Sequence, residues 1–352
     1  MGKEIIIGVI AALALTAFFG FYSSSDPVDV EYQAFIAKYK RNYLSADEYE
    51  FRRQVFKKNF EYITKFNAEG HTWWLGVNNF ADMTKEEVKK FLKLTPAKVN
   101  KGKSLGTITA DSPTGPNDVN INWRDFGTKF VLPVKNQGAC GSCWAYAANG
   151  GVEPAWVQYN ALKLGKNITA PDLSEQALVD CDTNCAGCLG GFMNYAYYYY
   201  TQFAPKFQSD YPYTAKDEDC KAGSLPDATD TLLGWYDVAQ FDDEALRKTL
   251  NLGPVPVAMQ AENTDMYMYK GGVITGRHCG YQLDHGVTLV GEQIIQSNNT
   301  KEWIVKNSWG DDWGEGGYVR IARERIIVQG VNVGVCGINM QNSIPTYMEY
   351  FH

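Results

Sequence analysis

An α+β fold in two lobes, preceded by a helical amino-terminal segment, is predicted by three features of the sequence. Glu48, Arg52, Phe56, Asn59, Ile63 and Asn67 are spaced by 4, 4, 3, 4 and 4 residues, so on a helix they share one stripe about 100° wide. Apolar, helix-compatible residues follow Gly141-Ser142, and a further helical stretch runs from Leu173 to Val179 with Ser174 placed to cap it. From Gly253 to Asn339, short runs of Val, Ile, Leu and Tyr alternate with Gly and Asn breaks, which is the pattern of antiparallel strands. Helices early and strands late give segregated layers, and a cleft between two such lobes is where a site is expected.

The 352 residues are 45% hydrophobic with a formal net charge of −7, enough to bury a sizeable core and too acidic to suggest a nucleic-acid partner. Lys3 precedes an apolar run from Ile5 to Phe21, and Tyr22-Ser23-Ser24-Ser25 then turns polar. That layout reads as a secretory signal peptide over residues 1–25. The run approaches the length of a membrane anchor, but the smaller residues after it favour cleavage, and no other stretch is long and apolar enough to span a bilayer. Gly76, Asn78, Phe80 and Asp82 stand at alternate positions and read as a strand. Between Ala97 and Asn117, Lys, Gly and Ser residues with Pro113 and Pro116 show no periodicity, so this stretch reads as a linker.

The chain is organised around Gln137 to Tyr146, Gln-Gly-Ala-Cys-Gly-Ser-Cys-Trp-Ala-Tyr. With Gly141-Ser142 starting a helix, Cys143 falls in its first turn, where the helix dipole favours the thiolate and hence a nucleophile. A base is sought among only four histidines. His278 abuts Cys279 in a polar turn and His352 is terminal, whereas His285 opens Gly286-Val287-Thr288-Leu289-Val290, which reads as a buried strand.

The stretch around Cys143 resembles the papain-like cysteine proteases, and His285 lies 142 residues further on, in agreement with the histidine spacing of that family. The stripe from Glu48 to Asn67 is similar to the ERFNIN pattern of cathepsin L-like propeptides, and Gly76 to Asp82 to their second motif. The resemblance extends from about Asp26 to the end. It implies a papain-like enzyme whose propeptide, residues 26–116, crosses the active cleft backwards in the extended 97–117 segment and inhibits it intramolecularly. Activation would follow a cut near Gly115 to Asp118, leaving a peptidase domain over 117–352. His71 then lies in the removed part.

The resemblance also implies roles. His285 takes the Cys143 proton and returns one to the leaving amine, Asn307 holds the imidazole tautomer, and Trp309 shields that hydrogen bond from water. Gln137 and the Cys143 backbone N–H form the oxyanion hole. Gly190-Gly191 let a peptide backbone approach, and Phe192, Met193, Ala258, Leu283, Gly286 and Gln341 line a pocket for the residue two positions before the cut. That lining is mostly apolar, so a hydrophobic side chain is expected there. Cystatin-like inhibitors and a monomeric state are implied as well, with delivery to a lysosome-like compartment or outside the cell.

Eight cysteines in a secreted chain read as disulfides. Family positions imply Cys140–Cys188, Cys181–Cys220 and Cys279–Cys336, leaving Cys143 free and Cys185 over. Cys181, Cys185 and Cys188 could be read as zinc ligands, but no His is near and disulfide partners are at hand, so neither metal nor cofactor is expected. Asn167 and Asn298 head glycosylation sequons. Residues 26–116 hold 15 Lys and Arg against 12 Asp and Glu, a net of +3, and 117–352 hold 17 against 27, a net of −10. The two parts should attract near neutral pH and separate on acidification, with Asp82 a candidate latch. Two competing readings are a thiol–disulfide oxidoreductase using Cys140 and Cys143, which needs a βαβ context not present around them, and a non-catalytic binding module on the same fold.

Overall fold

A computed structural model describes residues 26–95, 104–114, 120–295 and 300–351. The expected signal peptide, the cut region at Gly115 to Asp118, Asn298 and His352 lie outside these. The chain forms two compact units that divide after Tyr62.

The first unit holds α1 (Pro27–Tyr39) and most of α2 (Ala46–Ala68). Asp26 caps α1 by accepting from the Val28 N–H, and Pro27 occupies the first turn, where its missing donor costs nothing. Tyr32, Phe35 and Phe56 bury their rings against one another with centroids 5.1 Å apart for each pair with Phe56, and Arg53 Nε lies 2.6 Å from Asp29. All six residues of the predicted stripe fall within α2.

The second unit opens with the end of α2, where Asn67 accepts from the Leu75 N–H and donates to the Leu75 carbonyl, both at 2.9 Å. This double bond fixes β1 (Trp73–Leu75). The predicted strand over Gly76–Asp82 is therefore displaced. The strand ends at Leu75, and Asn78 folds the chain into a turn by accepting from Phe80 N–H at 2.9 Å while donating to the Tyr267 carbonyl at 2.7 Å. An Asn side chain that bonds backbone groups competes with a ladder, and here it wins. Asp82 is buried in that turn. The short α3 (Lys85–Val88) follows, with Thr84 and Glu87 forming a reciprocal capping box.

The linker expectation is also corrected in part. Thr107–Ile108 form β2, parallel to β3 (Gly234–Val238), and Ile108 is fully buried against Tyr236 and Ile344. Two paired residues are too few to print a period on the sequence.

The helical side consists of α4 (Cys143–Lys163), α5 (Glu175–Cys181, capped by Ser174 Oγ accepting from Ala177 N–H) and α6 (Met193–Tyr200). Along the chain then come α7 (Asp243–Leu250), β4 (Val255–Met259), α8 (Thr264–Tyr267), β5 (Tyr269–Ile274), β6 (His285–Ile295), β7 (Thr300–Lys306) and β8 (Tyr318–Ala322). These strands build a sheet in the order β1-β5-β8-β7-β6-β4, so the amino-terminal β1 is its edge strand, antiparallel to β5. The expected strand runs at 286–290 and 303–305 lie in β6 and β7. A hairpin of β9 (Ile327–Val328) and β10 (Val331–Asn332) precedes β11 (Ser343–Thr346), which completes a second sheet with β3 and β2.

Candidate active site

Cys143 is the first residue of α4 and is fully buried. His285 begins β6, and its neighbour Gly286 packs against the Cys143 carbonyl; a methyl group there would stand 3.3 Å from that oxygen and from Met193 Sδ. His285 Nε2 lies 2.8 Å from Asn307 Oδ1, which also accepts the Ser308 N–H at 2.8 Å. Because Oδ1 already serves a backbone donor, it is the acceptor for the ring too, so Nε2 carries the proton. Nδ1 is then left with a lone pair and, buried, has no hydrogen-bond partner among the described residues. Trp309 stacks on the ring at 4.7 Å.

Gln137 is buried between the two sides. Its Nε2 donates to the carbonyls of Phe91 and Cys140, both at 2.9 Å, its Oε1 accepts from Ser308 Oγ at 2.7 Å, and its N–H donates to the Ser308 carbonyl at 2.9 Å. Tyr213 donates to the Gln137 carbonyl at 2.8 Å and shares a 2.5 Å bond with Ser142 Oγ. Sequence reading passed over Ser308 and Tyr213. Ser308 lies within the Asn307–Trp309 stretch, but a serine there carries no signal of its own.

The cleft is covered by the amino-terminal segment at Lys93–Thr95, just ahead of the stretch expected to cross it. Leu94 N–H donates to the Asp284 carbonyl at 3.0 Å, Thr95 N–H to Gly191 carbonyl at 3.0 Å, and Gly191 N–H to Lys93 carbonyl at 3.3 Å. The pairing of Leu94 with Gly191 is parallel. Glycine is required at 190, where φ is +123° and a methyl group would lie 2.3 Å from the Lys93 carbonyl. Leu94 is buried in one apolar cluster with Cys143, Phe192, Met193 and Ala258, against which Leu283 packs. The Gln341 backbone carbonyl accepts from the Ala258 N–H, and its side-chain Oε1 is buried with no hydrogen-bond partner among the described residues.

Burial decides the charge state of the site. Burial pushes the Cys143 thiol up to about 11, against backbone hydrogen bonds from Gly286, Lys93 and Trp144. Burial likewise pushes His285 down to about 4, with the Asn307 bond opposing. The thiolate expected from the helix terminus is thus replaced here by a neutral thiol, and the imidazole is neutral too. A dipole at one helix end does not offset removal from water.

Disulfides join Cys140 to Cys188, Cys181 to Cys220 and Cys279 to Cys336. Two of the three zinc-reading cysteines are thereby used, and Cys140 is unavailable to Cys143 as a redox partner. Cys185 is free and partly buried, its sulfur 2.6 Å from where a methyl group on Gly191 would stand. Asn167 is exposed. No helix among the described residues is long and apolar enough to cross a membrane.

Comparison with known proteins matches residues 117–346 to the papain family cysteine protease domain and residues 32–88 to the cathepsin propeptide inhibitor domain. The chain is 37% identical over 365 residues to Cysteine protease XCP2 of Arabidopsis thaliana, covering 98% of each. It is 36% identical to Senescence-specific cysteine protease SAG39 of Oryza sativa, covering 98% of this chain and 99% of the other. Among solved structures it is similar to a recombinant stem bromelain precursor (TM-score 0.79, 33% identity, 92% of this chain and 100% of that one). It is also similar to the digestive procathepsin L2 of Tenebrio molitor larval midgut (TM-score 0.78, 33% identity, 91% and 99%).

Proposed function

From the premise that this chain belongs to the papain family of cysteine proteases and carries a cathepsin propeptide inhibitor domain, we propose that Cys143, His285, Asn307 and Gln137 perform the hydrolysis. His285 Nδ1 removes the thiol proton as Cys143 Sγ attacks the scissile carbonyl carbon. The oxyanion is held by Gln137 Nε2–H and the Cys143 backbone N–H, each such donor being worth roughly a hundredfold to a thousandfold in rate. The imidazolium then protonates the leaving amine as the C–N bond breaks, giving a thioester. Water deprotonated by His285 adds to it, and collapse releases the acid and the thiol. Asn307 keeps the proton on Nε2 so that Nδ1 stays the base.

The observation that carries this reading is the Lys93–Thr95 crossing. It sets a peptide backbone against Gly191 and Asp284 and a leucine among Phe192, Met193, Ala258 and Leu283, and the Phe91 carbonyl just before it accepts from Gln137 Nε2. A bound peptide offers the same groups, so the preceding segment inhibits by occupying them. A parallel pairing at Gly191 supports a reversed chain, which cannot be cut. The same pocket supports a hydrophobic preference two residues before the cut. The neutral Gln341 at its edge gives a buried arginine no countercharge, and Gly286 and Trp309 complete the surroundings of the scissile bond.

The domain reading is a signal over 1–25, a propeptide over 26–116 and a peptidase over 117–352. We further infer a secretory route to an acidic compartment or the exterior, glycosylation at Asn167, and a monomer open to cystatin-like inhibitors. The test is to activate the full precursor and its Cys143→Ala variant in parallel and to profile both on a peptide library. Activity should vanish in Cys143→Ala, with leucine, valine or phenylalanine preferred by wild type. Residual cleavage in the variant defeats the nucleophile, and a preference for arginine defeats the pocket.

A further inference from the structure

The stretch Ser104–Thr114, placed by sequence on the inhibitory side of the expected cut, is bound to the enzyme's own second sheet. Among the described residues, every hydrogen bond that leaves it goes to β3 or to the residue just after β3. Leu105 N–H donates to the Trp235 carbonyl at 2.8 Å, the Gly106 carbonyl accepts from Asp237 N–H at 3.0 Å, and the Ile108 carbonyl accepts from Ala239 N–H at 2.8 Å. Ile108 is fully buried against Tyr236 and Ile344, with Leu252, Tyr350 and Phe351 packed on the same cluster. That cluster is separate from the one that holds Leu94 and Cys143. Without β2, β3 would be the edge of its sheet, with these backbone groups unpaired beside an open apolar socket. Such an edge invites pairing with another chain, and a strand laid over it removes the hazard.

The cutting preference points the same way. A cut near Gly115 to Asp118 would put Thr114, Gly115, Pro116 or Asn117 two positions before the bond, and Thr109–Asp118 holds no Leu, Ile, Val or Phe. Leu105 and Ile108 are the nearest such residues ahead of it, and both are held in the sheet. Proteolysis needs the chain to open locally first, so pairing and burial protect the bonds that follow them. Resting on the reading that the enzyme prefers a hydrophobic residue two positions before the cut, we propose that Ser104–Thr114 is part of the active enzyme. Self-processing hydrolyses the chain on the cleft side of Ser104, the segment up to Thr95 departs, and β2 stays as the edge strand of the second sheet. Main-chain bonds supply its affinity and the Ile108 socket its register, as in strand addition to a sheet edge. Its covalent link to the peptidase domain keeps the docking intramolecular, so losing the cleft segment does not weaken it. A cut near Gly115 to Asp118 then requires a protease of different preference.

The experiment acidifies the full precursor without added protease, counts active sites with E-64, and reads the gel-filtered enzyme by intact mass and amino-terminal sequencing. The amino terminus should lie between Thr95 and Ser104, with residues 104–114 on nearly every titratable site. Ile108→Asp puts a carboxylate into the apolar socket, so β2 should come free. Leu105 then becomes available two positions before a cut, and the terminus should move to Thr107. Ile108→Val should process as wild type does. The wild-type terminus decides the proposal even where Ile108→Asp yields no titratable sites. A wild-type terminus beyond Ser104, in an enzyme whose peptide-library preference is hydrophobic, overturns the inference and leaves the reading of the pocket intact. An Ile108→Asp terminus that does not move, or a precursor that never processes itself, also overturns it. An arginine preference in the library overturns the pocket reading, and this inference with it.

Discussion

The amino-terminal segment meets the enzyme in two places that use the same backbone chemistry for different ends. At β1, Trp73–Leu75 add an antiparallel edge strand to β5, and Trp73 is buried with its ring 4.5 Å from His278. At Lys93–Thr95 a single bridge pairs with Gly191 and one leucine is buried. The first contact is broad and away from the chemistry; the second is narrow and covers it. Affinity and inhibition are thus assigned to separate stretches of one segment, with the strand holding the crossing in place at high local concentration.

Removing Trp73 tests that division most severely. Trp73→Ala deletes a large buried side chain at the anchor, at a cost of roughly 3–5 kcal/mol, which corresponds to about a hundredfold to several thousandfold more open precursor. E-64 labelling of the intact precursor at neutral pH should accelerate by that factor although no cleft residue has changed. Unchanged labelling would mean that the crossing holds itself.

Acid should come next. Covered His285 stays neutral down to about pH 4, against about 6.5 for an ordinary imidazole, so the opened form binds more protons between those values. With an ordinary imidazole in the opened form, His285 makes closure most favourable above about pH 6.5 and withdraws about 3 kcal/mol as pH falls toward 4, while the Cys143 thiol, raised in the covered form, weakens closure as pH rises through the opened thiol's range. Asp284, raised to about 6 by burial, has the opposite sign. Its carboxylate is bonded by the Ala261 and Glu262 N–H groups of the enzyme itself, which lower its pKa in both states, and burial lost when the segment leaves offsets part of the His285 effect. Labelling by E-64 should rise steeply below pH 6.5 in wild type. An Asp82→Asn precursor whose midpoint moves upward assigns part of the response to that carboxylate, and a flat wild-type profile refutes the linkage.

At the crossing, Leu94→Ala should open the precursor less than Trp73→Ala does, roughly thirtyfold, because about 2 kcal/mol of leucine burial is lost while the backbone bonds to Asp284 and Gly191 remain. A Leu94→Ala effect equal to that of Trp73→Ala would erase the distinction between anchor and cover.

The helix over 46–68, the strands at 286–290 and 303–305, and the cap at Ser174 were legible because period and capping are local properties. Cys143 stood out through its helix start and His285 through the scarcity of histidine, whereas Asn307 and Gln137 were reached only through the family resemblance. What lay beyond reach was set by tertiary contact. Gly76–Asp82 mimics a strand period, yet Asn78 turns it; β2 is too short to leave a pattern; the Lys93–Thr95 crossing is made by backbone groups that any sequence carries. The neutral thiol of Cys143 follows from its burial, which its own helix position does not encode. Ser308 could be found only by following the hydrogen bonds of Gln137.

The smallest expected effect belongs to the charged contact between these two places. Lys89 and Lys85 of the segment reach Glu262 of the enzyme at 2.9 and 3.6 Å, all on exposed or half-exposed side chains. Solvent screens such pairs, and holding long side chains in one geometry costs entropy, so neither bridge alone fixes the segment. They sit nevertheless within a wider complementarity, net +3 before residue 117 against −10 after it, which favours docking while ionic strength is low. Glu262→Gln should therefore raise E-64 labelling of the neutral precursor only severalfold in dilute buffer. The difference should disappear near 1 M salt, where the screening length shrinks to about 3 Å. The Trp73→Ala effect, being apolar, should persist there. A Glu262→Gln difference that survives high salt would show that the carboxylate acts through packing or a specific hydrogen bond instead, and would move this contact from the electrostatic to the anchoring side of the comparison.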